Sequence, residues 1–267
     1  MRIMASSGPF DPQLIADALG AARAGRRPFD PLVRFGSLDL AAGYAIAARS
    51  RDPAGAAAFK LGGTTQATRT AFSVSRAYAG PLRGDQLIHA GQALPQGLVN
   101  PVVEPEILLA FAVPFAPQTG RRDEDALRAA LSWVAIGLEV PATPVMGLPQ
   151  TGVGWLLADC CAAGALVIGE HLLPEQLDVL SQARVSLQVG DQSSEGAATR
   201  LLDGALGAVA DILSVFGETG WTVASGVPFA TGGLAPALPI ANGQTARAGF
   251  RAPGIELSIS TSLCEEG

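Results

Sequence analysis

Two glutamates flank a proline inside an otherwise apolar run, Val102-Val103-Glu104-Pro105-Glu106-Ile107-Leu108-Leu109. A third, Glu139, interrupts a second apolar run, Val134-Ala135-Ile136-Gly137-Leu138-Glu139-Val140. Runs of this kind are buried, and an ionised carboxylate is costly to bury without compensation. Residues i and i+2 of a strand share a face, so Glu104 and Glu106 point the same way, beside Val102 and Leu108. Val103, Pro105, Ile107 and Leu109 then form the other, buried face. Two outcomes are open. On a solvated face the pair is ordinary, and Glu139 is an arginine's partner. Gathered together, the three acids demand a hard cation, because every ligand is oxygen.

Lys60 is the fourth candidate. It lies in Ala56-Ala57-Ala58-Phe59-Lys60-Leu61-Gly62-Gly63, with no acid nearby in sequence. Apolar surroundings lower a lysine pKa, which suits acid–base work. The plainer alternative is a snorkelling lysine whose stem packs on Phe59. His89 and His171 sit in loop-like sequence and suggest no triad. Gly152-Val153-Gly154 completes no dinucleotide fingerprint, and no phosphate loop of the Gly-Lys-Ser/Thr type occurs.

Composition narrows the class. The chain has 267 residues, 48% hydrophobic and 16% charged, enough for a large core without staples. Its net charge of −6, with scattered Lys and Arg, argues against a nucleic-acid partner. Cys160, Cys161 and Cys264 form no zinc spacing, and their odd number argues against a disulfide framework. Met1 to Pro9 lacks the apolar core of a signal peptide. The longest apolar stretch, Ala162 to Gly169, is too short to cross a bilayer. A cytoplasmic protein with no membrane partner is expected.

The N-terminal residues read as helical. Asp11 and Pro12 open a helix with a stripe of Leu14, Ile15, Ala18, Leu19 and Ala22, and Gly25 stops it. Ser37 is expected to cap a second, burying Leu40, Ala41, Tyr44 and Ala48. From Phe59 onward, short apolar runs alternate with Gly, Pro, Asn and Asp, the punctuation of strands. Strands are predicted over Val102–Phe111, around Glu139, and over Arg184–Val189, where Gly190-Asp191-Gln192 turns into a partner. Further strands are predicted over Trp221–Val223, Ala246–Phe250 and Ile255–Ile259. Asp123-Glu124-Asp125 opens one helix, and Leu201 to Phe216 recurs at helical spacing.

Several segments together resemble the 2-hydroxypentadienoate hydratase and 4-oxalocrotonate decarboxylase family, of the fumarylacetoacetate hydrolase superfamily, over nearly the whole chain. Phe59-Lys60-Leu61-Gly62 resembles the family's Tyr-Lys-Val/Ile-Gly. Val103-Glu104-Pro105-Glu106-Ile107 resembles its Val-Glu-Pro-Glu-Ile strand, and Leu138-Glu139-Val140 matches the position of its third metal glutamate. Leu157-Ala158-Asp159 and Leu166-Val167-Ile168-Gly169 match Ile-Ala-Asp-Asn and Phe-Val-Leu-Gly. Thr231-Gly232 and Pro239-Ile240 resemble pieces of its last loop.

The resemblance implies an α+β fold: a mixed β-roll or barrel catalytic core over 59–267, with a small helical region over 1–58. It implies Mg²⁺ or Mn²⁺ on Glu104, Glu106 and Glu139, Lys60 as the catalytic residue, and Leu61, Asp159 and Thr231 at the substrate. The implied activity is that of a lyase on a small 2-hydroxy-2,4-dienoate or 2-oxo acid, through its metal-stabilised enolate. Hydration is the simplest version. A 4-oxalocrotonate-type decarboxylase, a divergent isomerase or cyclase, and a non-catalytic partner subunit are the alternatives. A homo-oligomer is also implied. The departures are specific: Tyr78-Ala79-Gly80 lacks the family's acid. Ala142-Thr143-Pro144 stands in place of Asp-Ser-Arg, and Cys160-Cys161-Ala162-Ala163 in place of Asn-Ala-Ser-Ser.

Overall fold

Aspartates open the first helices of the computed structural model, which describes residues 11–265. Asp11 accepts the Gln13 and Leu14 N–H groups ahead of α1 (Pro12–Ala24), and Gly25 ends it. The buried face of α1 is Ile15, Ala16 and Leu19, while Leu14 stays exposed. A short α2 (Pro31–Arg34) follows. Asp39, not Ser37, caps α3 (Leu40–Ser50) by accepting the Ala42 N–H. That helix buries Gly43, Tyr44, Ile46 and Ala47 and exposes Leu40 and Ala41. The reason is steric: a Cβ on Gly43 would sit 2.5 Å from the Gly154 carbonyl oxygen. Gly43 must therefore face α6 (Val153–Ala158), and this sets the helix rotation.

Between them lie α4 (Gln66–Phe72) and α5 (Glu124–Ala130), the latter capped by Asp123; α7 (Leu177–Leu180) and α8 (Gly204–Thr219) come after α6. Helix α8 starts later than the periodicity predicts, because Ala198–Arg200 forms a separate 3₁₀ turn.

Two sheets form the rest. The larger holds β1 (Ala58–Gly62), β2 (Tyr78–Leu82), β3 (Leu87–His89), β4 (Val102–Phe111), β5 (Leu131–Pro141) and β6 (Ala163–Leu172). The smaller begins with the hairpin β7 (Arg184–Val189) and β8 (Gln192–Ala197). Short β9 (Phe229–Ala230) and β10 (Leu238–Pro239) return to the large sheet, and β11 (Thr245–Ala252) and β12 (Ile255–Ser262) complete the small one. The large sheet runs β2-β1-β9-β4-β5-β6-β3, with β10 on β4, and curls into a half-barrel. The small sheet runs β12-β11-β7-β8. The strand predicted over Trp221–Val223 is reduced to one bridge between Val223 and Phe115.

One large apolar cluster fills the curl, built on Phe59, Ile107, Leu108, Phe111, Phe216 and Phe229. A smaller cluster joins α1, α3 and α6 through Ile15, Leu19, Ile46 and Trp155. Phe29, Phe35 and Trp155 pack together there with centroids within 6.0 Å, Phe29 stacked on Phe35 and both tilted against Trp155. Each such buried side chain contributes about 1.5–3 kcal/mol. Tyr44 and Ala47 of α3 belong to the larger cluster, so this helix shares the central core.

Candidate metal centre

Strands β4 and β5 pair antiparallel with Glu104 opposite Glu139 and Glu106 opposite Gly137. Opposed residues share a face, so all three carboxylates project to one side. A ligand oxygen from each lies within 4.8 Å of the others. Gly137 keeps the space open: a Cβ there would lie 2.8 Å from Leu108 Cδ1.

Strand β9 is only two residues long, and the chain leaves it through Thr231-Gly232-Gly233. Thr231 Oγ1 donates to the Ile107 carbonyl at 2.8 Å and ties this loop to β4. The Gly232 N–H then donates to Glu106 Oε2 at 2.7 Å. Gly232 has φ +120°, and a Cβ on it would lie 2.0 Å from Thr64 Oγ1, so only glycine fits. From β1, beyond β9, Lys60 Nζ donates to Glu139 Oε2 at 2.7 Å. Glu106, Glu139 and Lys60 are all buried; Glu104 is half-buried.

Two carboxylate oxygens of the cluster remain unsatisfied: Glu106 Oε1 and Glu139 Oε1 are buried and meet no donor among the described residues. Leaving such atoms without a partner costs about 1–3 kcal/mol each, more when charged. An all-oxygen donor set with two orphaned buried carboxylate atoms fits a hard divalent cation such as Mg²⁺.

The electrostatics agree. Burial pushes Glu106 well above the ordinary glutamate range, and Glu139 and Glu104 push it further. Glu104 is also raised by burial, with Lys60 and Arg200 pulling it back. Burial raises Glu139 too, against the pull of Lys60. For Lys60, burial acts downward, but Glu139 and Glu104 outweigh it, so the ammonium is held above its usual value. The lowered lysine pKa expected from apolar sequence neighbours is thus corrected: the acids arrive from β4 and β5. Lys60 is raised because more than one carboxyl faces its ammonium, and Glu139 is raised because its burial outweighs the pull of that single ammonium.

A pocket of about 560 Å³ opens beside this cluster. Lys60 and Glu104 line it; Leu61, Phe72, Leu148 and Leu156 make its walls apolar, and Thr64, Tyr78, Thr143 and Arg200 add polar groups. A larger hollow of about 900 Å³ lies over the small sheet and contains none of the three glutamates. Of the expected site residues, Glu104, Glu106, Glu139 and Lys60 converge, and Leu61 lines the pocket. Asp159 and Thr231 are not in its lining. The Asp159 carboxylate pairs with Arg23 at 2.7 Å and accepts from Thr143 Oγ1 at 2.6 Å. Asp159 therefore positions Thr143, which is in the wall. The sequence reading missed Thr64, Thr143 and Arg200. Nothing in their local patterns marks them, since they meet only through the fold.

No protein-family model matches the chain, and no curated protein does. Solved structures do match. One is 4-oxalocrotonate decarboxylase from Pseudomonas putida G7 complexed with magnesium and adipate. It has a TM-score of 0.84 and 19% identity over 98% of this chain and 100% of that one. The same enzyme complexed with calcium and acetate gives 0.83 at 19% identity, with the same coverage. A third is 2-hydroxyhepta-2,4-diene-1,7-dioate isomerase from Mycobacterium marinum, at 0.56 and 14% identity over 79% of this chain and 75% of that one. These likenesses show the fumarylacetoacetate hydrolase-like fold. Among the described residues, no helix is long and apolar enough to cross a membrane.

Proposed function

We propose that the chain is a divalent-metal-dependent lyase acting on a 2-oxo or 2-hydroxy-dienoate acid. The observation that carries this reading is the pair of buried, partnerless oxygens on Glu106 and Glu139, gathered with Glu104 beside an apolar pocket. Glu104, Glu106 and Glu139 would hold Mg²⁺ or Mn²⁺, which when bound would supply Lewis-acid polarisation of the acid's oxygens. The magnesium and calcium complexes of the decarboxylase with the same fold support the choice of ion.

The chain's own groups do the rest. The Gly232 N–H fixes one Glu106 oxygen and leaves the other for the ion. Lys60 carries protons at Nζ on the pocket wall, 2.7 Å from Glu139. Leu61, Phe72, Leu148 and Leu156 keep water from the carbon chain.

Those apolar walls favour decarboxylation over hydration. Hydration needs a held water, whereas a poorly solvated carboxylate is ready to leave as CO₂. Its C–C bond breaks, the electron pair enters the conjugated 2-oxo system, and Lys60 supplies the proton to carbon and regains one from solvent. The decarboxylase complexed with the diacid adipate supports an acid of this class. Cytoplasmic location and homo-oligomeric assembly belong to the same proposal, the latter checked by light scattering.

Two substrates separate the activities. With Mg²⁺, a 2-oxo-3-enedioate should release CO₂. Loss of diene absorbance from 2-hydroxy-2,4-pentadienoate would instead identify a hydratase. Turnover of neither, together with no stoichiometric Mg²⁺ binding, would leave a non-catalytic partner subunit.

A further inference from the structure

We infer that Arg200 anchors the α-carboxylate of the acid that enters the pocket, with Thr64 beside it. This rests on reading the pocket as a 2-oxo acid site. Arg200 ends the 3₁₀ turn Ala198–Arg200. The turn is pinned on both sides: the Ala198 N–H donates to the Ala183 carbonyl at 2.9 Å, and the Leu202 N–H donates to the Thr64 carbonyl at 3.0 Å. Leu201 bridges to Thr65. The backbone of Arg200 is therefore fixed against the segment that follows β1.

Its side chain lies in the pocket wall, where it is the only arginine among the described residues. It is half-buried and, among the described residues, takes part in no hydrogen bond or ion pair. Lys60, the other cation of the wall, is already committed to Glu139. Arg200 lies near enough to Glu104 to favour its ionised form. Thr64 is buried, and its hydroxyl makes no hydrogen bond among the described residues.

Charge counting gives the ligand class. Three carboxylates, one ammonium, one guanidinium and a divalent ion leave a single positive charge over in an apolar pocket. One carboxylate neutralises it. A guanidinium presents its donors in a fork that matches carboxylate geometry, which an ammonium does not. Arg200 thus supplies a cation that Ala142-Thr143-Pro144 does not.

The test is calorimetric binding of 2-oxopentanoate to the Mg²⁺-loaded full chain. Arg200→Ala should weaken it about 10- to 100-fold, and Arg200→Lys should recover only part. Mg²⁺ titrated without the acid should bind Arg200→Ala as tightly as wild type or more tightly, because a cation near Glu104 is gone. A merely structural arginine would lose both affinities together, and that result overturns the assignment. So does unchanged 2-oxopentanoate binding in Arg200→Ala, which leaves the metal reading intact. Failure of the wild type to bind Mg²⁺ removes the metal reading and this assignment with it.

Discussion

Glu106→Gln preserves shape and removes one charge, so its effects on stability and on metal binding should have opposite signs. The three ligand oxygens lie within 4.8 Å of one another. Two full charges at that distance repel by about 3.5 kcal/mol at an effective dielectric constant of about 20. Glu106 relieves part of this by holding a proton above the ordinary glutamate value of 4.5, so the gain from glutamine is smaller, on the order of 1–2 kcal/mol. Folded Glu106 binds its proton more tightly than an unfolded glutamate does. Metal-free protein should therefore lose stability as pH rises above 4.5, and Glu106→Gln should flatten that loss. Metal acts the other way. At about 100 times its Kd, Mg²⁺ adds about 2.7 kcal/mol, or roughly 5–10 °C in Tm for a chain of this size. The variant, lacking a ligand charge, should gain little. Melting curves in EDTA and in MgCl₂ should thus cross: Glu106→Gln melts above wild type with chelator and below it with Mg²⁺. A wild type indifferent to Mg²⁺, alongside a variant no more stable in EDTA, would refute the idea that these acids are arranged for a cation.

Lys60→Ala should leave Mg²⁺ bound but slow turnover about 10²–10⁴-fold, as single-turnover rates would show; an unchanged rate would return Lys60 to a structural role. Gly80→Ala places a Cβ 2.0 Å from the Cys160 carbonyl oxygen, backbone against backbone. It should cost at least about 1–3 kcal/mol in urea unfolding, and a neutral result would contradict the packing of β2 on the Cys160–Ala162 turn. Burial pushes the Cys160 thiol up to about 11 and raises Cys161 as well, whereas Cys264 is exposed. Iodoacetamide at pH 8 should label Cys264 alone in the native protein and all three cysteines after unfolding; mass spectrometry counts the adducts, and native labelling of Cys160 or Cys161 would be the contrary result.

Sequence patterns were sufficient wherever the controlling interactions are local. Asp11, Pro12 and Gly25 bound α1 because capping and φ restriction act within a turn. The Val102–Phe111 strand and the Arg184–Ala197 hairpin follow from their apolar runs and the Gly190-Asp191 turn. Alternation also placed Glu104 and Glu106 on one face. Beyond that, local information ends. Ser37 and Asp39 are both good caps, and only the contact of Gly43 with Gly154 decided between the registers. Asp159 resembled a substrate ligand in sequence, but α1 brings Arg23 to it, and a carboxylate follows its nearest cation.

The chain by itself determined that three glutamates and a lysine occupy apolar segments and so need compensation. Only the tertiary structure decided what compensates them. The β4–β5 register sets Glu139 against Glu104, and the shortness of β9 lets the Gly232 N–H reach Glu106 while Lys60 reaches Glu139. The same folding carried Arg200 to the pocket wall from nearly a hundred positions away in sequence. Electrostatic coupling depends on distance in space, and the strand pairing that sets this distance is a property of the assembled sheet.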